Sequence, residues 1–90
     1  MNINLNKIEE IYGIELLELV KENTDDINQN INYLIYLNFT DIEDIFERYT
    51  PIFICDHPVF KQNINNLITK LGENYVDIIE NDLEILDELI

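Results

Sequence analysis

Ninety residues with 47% hydrophobic side chains make one small domain with enough apolar material for a core, although a chain this short buries only about 60–65% of the surface its unfolded form exposes. Nineteen Asp and Glu against five Lys and Arg leave a formal charge of −14, which repels nucleic-acid backbone and anionic lipid alike, since both require a cationic surface. A single cysteine, Cys55, excludes an internal disulfide framework.

Residues 1–7 carry no apolar stretch of the kind a secretory signal needs, and no later run approaches the length that spans a bilayer. The expectation is a cytoplasmic protein that is not a membrane binder. Helical periodicity then runs through the chain. Residues 2–23 read as a shortened helix pair, the first helix ending at Gly13 and the second carrying Leu16, Leu19 and Val20. In residues 25–53 the first helix places Ile27, Ile31, Leu34 and Ile35 on one stripe, and the second places Ile42, Ile45, Phe46 and Tyr49. Between them Thr40-Asp41-Ile42-Glu43 fits a capping box, the Thr40 hydroxyl accepting the Glu43 N–H and the Glu43 carboxylate reaching back. In residues 58–90, Pro58 opens a helix just after Asp56, with Phe60, Ile64, Leu67, Ile68 and Leu71 as its stripe. A shorter helix follows with Tyr75, Ile78 and Ile79. Gly13, Asn38 and Gly72 each follow the first helix of a pair, and all three residue types tolerate the left-handed conformation that ends one. No segment alternates as a strand would.

Two of these units align without a gap at an offset of 33. Asn30-Ile31-Asn32-Tyr33-Leu34-Ile35 lies over Asn63-Ile64-Asn65-Asn66-Leu67-Ile68, and Asp44-Ile45-Phe46-Glu47 over Asp77-Ile78-Ile79-Glu80. Apolar positions keep phase elsewhere: Ile27 with Phe60, Ile42 with Tyr75, Ile52 with Ile85, Phe53 with Leu86. A period of this length is the mark of stacked helical units. The expected fold is all-α, a short right-handed, solenoid-like bundle of about three helix-pair units in a single domain, residues 1–90.

The stretch from Leu37-Asn38-Phe39-Thr40 through Asp44-Ile45-Phe46-Glu47-Arg48-Tyr49-Thr50-Pro51-Ile52-Phe53, continuing through Phe60, Asn63-Ile64, Leu67 and Leu71-Gly72, resembles the repeat of the mitochondrial transcription termination factor family. The resemblance covers roughly residues 30–86. It implies a curved helical solenoid whose concave face binds nucleic acid through scattered Lys and Arg. This chain departs from that pattern in its charge: Lys7, Lys21, Arg48, Lys61 and Lys70 are dispersed, and four or more acids accompany each unit. The fold carries over as an expectation; the binding residues do not, and no direct nucleic-acid contact is expected.

Residues that could carry chemistry are few. His57 is the only histidine, so a zinc or di-iron site would lack its nitrogen ligands. There is no calcium loop and no Gly-rich phosphate loop. Asp25-Asp26 and Asp56 stand at helix starts, where capping explains them. Cys55 sits in the apolar run 51–55 and reads as a small buried hydrophobe. With His57 two residues on it is also a candidate nucleophile–base pair, though no neighbour orients the ring. No cofactor and no enzymatic activity are expected.

The acids offer more. Glu73, Asp77, Glu80 and Glu84 form one ridge if the last helix runs on that far. Glu15, Glu18 and Glu22 form another, and Asp44 with Glu47 a third, with Glu18, Asp44 and Asp77 at one repeat position. Such charge runs serve as solvated helix faces or engage a basic surface on a partner. The expectation is a non-enzymatic protein–protein interaction module whose acidic ridge is Glu18, Asp44, Glu47, Glu73, Asp77, Glu80 and Glu84. The alternative is a nucleic-acid mimic, with carboxylates in place of phosphates, that inhibits a DNA- or RNA-binding protein of the anti-restriction or anti-CRISPR kind. At the C-terminal end, Ile85, Leu86, Leu89 and Ile90 form an apolar stripe. It predicts either folding back over the last unit or pairing with a second copy as a homodimer.

Overall fold

The computed structural model describes residues 3–90, and every regular element among them is helical. Asn2, where the expected first unit begins, lies outside the described residues. Helix α1 (Leu5–Tyr12) starts at Asn4, whose side-chain oxygen accepts the Lys7 N–H at 3.1 Å and satisfies one of the unpaired donors of the first turn. It stops at Gly13, at φ 91° and ψ 174°, a conformation essentially reserved for glycine. That turn folds α2 (Ile14–Glu22) against α1. Helix α3 (Thr24–Tyr36) follows after Asn23. Asn38, at φ 75°, ends it as expected from its tolerance of positive φ.

Three further short helices and one long one complete the chain: α4 (Ile42–Arg48), α5 (Thr50–Phe53), α6 (His57–Leu71) and α7 (Tyr75–Asn81), with a 3₁₀ segment over Leu83–Leu89. Helix α6 begins at His57, so Pro58 takes the second helical position rather than the first; its missing N–H costs nothing there either. Gly72, at φ 83° and ψ −162°, repeats the device of Gly13.

The starts of these elements are regularly spaced. Helices α3, α4 and α5 begin at Thr24, Ile42 and Thr50; α6, α7 and the 3₁₀ segment begin at His57, Tyr75 and Leu83, each 33 residues after its counterpart. The α1–α2 pair stands off that grid, beginning at Leu5 and Ile14 where the spacing would place Glu9 and Leu17. The regular spacing therefore covers two units.

One core unites the helices. Its centre is a run of rings: Phe46 packs edge-on against Phe53 at 5.2 Å between centroids, and Phe53 against Phe60 at 5.2 Å. Each ring is essentially inaccessible to water, and such burial contributes roughly 2–3 kcal/mol apiece relative to exposure. Helices α3 and α6 lie against each other, and α5 packs beneath α3. The expected stripes are largely the buried ones, with two corrections. Leu17 rather than Leu19 turns inward from α2, because a start at Ile14 rotates the helix relative to the second-unit alignment. Ile35 is 50% exposed; Ile27, Asn30, Ile31 and Leu34 already fill the inward face of α3.

The capping box at Thr40 does not form. Asp41 occupies the N-cap of α4 without a side-chain cap bond, and the Thr40 hydroxyl instead donates to Glu80, 2.8 Å away on α7. An ionised carboxylate at tertiary contact outcompetes the local partner because it offers charge-assisted bonds to several donors together.

At the other end, α7 stops at Asn81 because Asp82 is extended at φ −149° and ψ 84°. The following Leu83, Leu86 and Leu89 recur every third residue, the period that a 3₁₀ turn places on a single face. Leu83 and Leu86 enter the core and Leu89 packs against it. The C-terminal stripe has thus folded back: Leu86 is buried, Ile85 and Leu89 are part-buried, and Ile90 alone remains widely exposed.

Candidate interaction surface

The seven ridge carboxylates do not share one helix. Glu18 is exposed on α2, Asp44 is exposed on α4, and Asp77 is exposed on α7. Glu73 lies in the turn between Gly72 and α7, and Glu84 lies on the 3₁₀ segment, so the break at Asp82 takes Glu84 out of helical register with Asp77 and Glu80. Asp44 forms an exposed i,i+4 pair with Arg48 at 3.6 Å, worth a few tenths of a kcal/mol at most.

Glu47 and Glu80, partners in the repeat alignment, are both half-buried and both engaged within the chain. The Glu47 carboxylate stands 3.9 Å from the Lys7 ammonium, and its carbonyl accepts the Tyr12 hydroxyl at 2.8 Å. Glu80 clasps the start of α4: it accepts the Thr40 hydroxyl, the Thr40 N–H at 3.2 Å and the Asp41 N–H at 3.1 Å. Burial works to raise the Glu80 carboxyl, but the Thr40 hydroxyl and the backbone N–H groups of Asp41 and Thr40 outweigh it and hold it below the ordinary glutamate value. A shared hydrogen bond with Glu80, followed by the Glu80 charge itself, raises the Asp41 carboxyl above the ordinary aspartate value. Glu80 is thereby a structural residue as well as a member of the ridge.

An open cleft of about 580 Å³ lies beside this clasp, where Ile35 and Ile42 are flanked by Asp41, Glu43, Asp44 and Glu47. Its apolar floor with a carboxylate rim has the chemistry to receive an apolar side chain bordered by cations.

A second polar centre was not read as such from the sequence. Asn30 is fully buried. Its amide nitrogen donates to the Phe53 carbonyl at 2.9 Å and to the Cys55 carbonyl at 3.1 Å, and its oxygen meets His57 Nδ1 at 2.9 Å. The two carbonyls fix which end of the amide is nitrogen, so the oxygen can only accept and His57 Nδ1 carries the proton. The signal was present: Asn30 sits among Ile27, Ile31 and Leu34 on the inward stripe of α3, where an unpartnered amide would be costly. The Cys55 thiol contacts the Ile52 carbonyl at 3.5 Å, and burial, with the nearby charges of Asp56 and Asp26, pushes it up. His57 Nδ1 is turned to Asn30, and the thiol is disfavoured as a thiolate; this geometry does not assemble an activated nucleophile.

Among the described residues no three His, Cys, Asp or Glu side chains converge as a metal site, and no helix is long and apolar enough to cross a membrane. No family model matches the chain, and no match is found among curated proteins or solved structures.

The acids are nonetheless distributed unevenly. None of the 19 lies within Ile27–Thr40 or His57–Gly72, which contain α3 beyond its first turn and all of α6, two helices that pack side by side. Every carboxylate belongs to the remaining elements and their turns.

Proposed function

We propose that this protein is a non-catalytic interaction module that binds a protein with a basic surface through the carboxylates displayed by α2, α4, α7 and the 3₁₀ segment. The observation that carries this reading is the segregation of acids. A coat serving solubility alone would fill every exposed helix face, yet α6 and α3 beyond its first turn, which holds Asp25 and Asp26, carry no acid. The cleft bordered by Asp41, Glu43, Asp44 and Glu47 supports it further, because the half-exposed Ile35 there offers apolar area that a charged coat does not need. The scaffold of this reading is a helical repeat, supported by the 33-residue spacing of successive elements and by the paired roles of Glu47 and Glu80.

Affinity capture from the source cells at low and high salt tests it, run beside a variant carrying Glu18→Gln, Asp44→Asn and Asp77→Asn. A partner held through the acids is lost at high salt and from the neutralised variant. A partner retained under both conditions would place binding on an apolar or uncharged surface and overturn the proposal. Phosphate mimicry is the second reading, favoured by the same segregation of acids away from α6 and the body of α3. It requires that the captured partner be a nucleic-acid-binding protein and that DNA or RNA compete for it.

A further inference from the structure

The acid-free stretches, α3 beyond its first turn and α6, meet across the seam between the two helices. Tyr33 bridges it: its hydroxyl donates to the Asn65 side chain, its ring lies 5.6 Å from the Lys61 ammonium, and the His57 ring meets it edge-on at 6.1 Å between centroids. Tyr36 stacks on Tyr33 at 6.3 Å and is 78% exposed. Exposed Gln29 and Asn32 flank these rings.

For a chain of charge −14, most ways of bringing two copies together press carboxylate against carboxylate. The α3–α6 face is the surface where that cost is absent. Beside the exposed Lys61, Lys70, Ile35 and Val59, it presents a run of exposed amides (Gln29, Asn32, Gln62, Asn65 and Asn66), which donate and accept and so pair with their own symmetry mates, and Tyr36, which presents rigid area at small entropic cost. We infer that this face is a self-association surface, on which a second copy of the chain docks α3–α6 against α3–α6 about a twofold axis. Helices of 13 and 15 residues give a footprint about 20 Å long and about 20 Å wide, roughly 400 Å² per copy in projection. This is well below the roughly 800 Å² per partner of a standard stable interface, so the dimer is weak and dependent on concentration. This inference is independent of the acidic surface and its partner.

Sedimentation velocity on the full chain, from about 10 µM to about 1 mM at about 0.15 M and about 0.5 M salt, reads it directly. The expected result is a rise from monomer to dimer, occurring at lower protein concentration in the higher salt because the net repulsion is screened. Asn32→Glu and Tyr36→Glu each place a carboxylate on the face from an exposed position. Each raises the dissociation constant by at least about tenfold while leaving the helical circular dichroism unchanged. Ile90→Ser, at the exposed end of the C-terminal stripe, leaves it unaltered. A monomer throughout the range at both salts overturns the inference. So does association weakened by Ile90→Ser but not by the two glutamate variants, and so does growth past dimer into open polymers.

Discussion

Glu80 reaches forty residues back along the chain to Thr40, accepting its hydroxyl at 2.8 Å and its N–H at 3.2 Å. In doing so it joins the start of α4 to the last turn of α7, neighbours that local sequence does not connect. Glu47, 33 residues earlier, approaches Lys7 across the same separation, so each of the two glutamates reaches back to a preceding element.

Replacement of Glu80 by Ala removes the acceptor shared by three donors at the mouth of α4. The site is partly open to solvent, and screening limits the cost to about 1 kcal/mol. Asp77→Asn, on the exposed side of the same helix, changes stability by less than about 0.5 kcal/mol. Urea titrations of both variants against the parent chain measure the difference. Loss from Asp77→Asn equal to that from Glu80→Ala would refute the clasp.

The two carboxyls at this clasp respond oppositely to pH. Because Glu80 is held below its ordinary value, its contribution is full above the unfolded glutamate value and lost as pH falls through the folded one. Asp41 is raised, so its ionisation opposes folding once pH exceeds its folded value. Asp41→Asn is therefore expected to raise the melting temperature at pH 7 and to lose that advantage at pH 3, where the carboxyl is already protonated. Thermal melts of the pair at the two pH values check the sign.

Asn30→Ala strands the carbonyls of Phe53 and Cys55 and the donor of His57 in a site where solvent access is poor. Unpaired buried groups cost about 1–3 kcal/mol, which for a domain of this size is a fall of roughly 5–20 °C in melting temperature. In the parent chain, nitrogen-15 spectra of neutral His57 are expected to show the Nδ1-protonated tautomer, and in the variant that preference relaxes. A dominant Nε2–H tautomer in the parent chain would contradict the assigned network.

Gly72→Ala meets no steric neighbour, since an added Cβ would face open space. The backbone at φ 83° and ψ −162° nevertheless excludes a side chain, and the substitution costs about 1–3 kcal/mol. Asn38→Gly, at φ 75°, changes stability by less than about 1 kcal/mol, as glycine adopts positive φ freely but also gains entropy when unfolded. Chemical denaturation of the two variants side by side separates backbone strain from lost contacts.

Cys55 is expected to react slowly. Burial holds its thiol above the ordinary range, so modification by an aromatic disulfide reagent at pH 7.5 is expected to run at least about tenfold slower than in urea. Equal rates would show that the thiol is neither shielded nor shifted.

Much of the helical layout was legible because it is local. The inward stripes of α3, α4 and α6, the breaks at Gly13, Asn38 and Gly72, and the 33-residue offset all follow from periodicity and from which residues tolerate positive φ. The errors fell where a distant group entered. Thr40-Asp41-Ile42-Glu43 has the letters of a capping box, but the winning acceptor, Glu80, lies forty residues away. Ile85, Leu86, Leu89 and Ile90 read as one apolar stripe, but Asp82 extends the chain and the core takes Leu83, Leu86 and Leu89, every third residue of a 3₁₀ segment.

The candidate surface divides the same way. Sequence alone determined that the chain is strongly acidic and all-helical, because composition and periodicity are properties of the string. Only the tertiary structure decided which carboxylates are displayed and which are spent on internal bonds, since that depends on which helix ends meet. It likewise decided that α6 and α3, acid-free beyond the first turn of α3, lie side by side, and that the C-terminal leucines belong to the core. Those outcomes rest on contacts between residues far apart in the chain, whose energies no local pattern encodes.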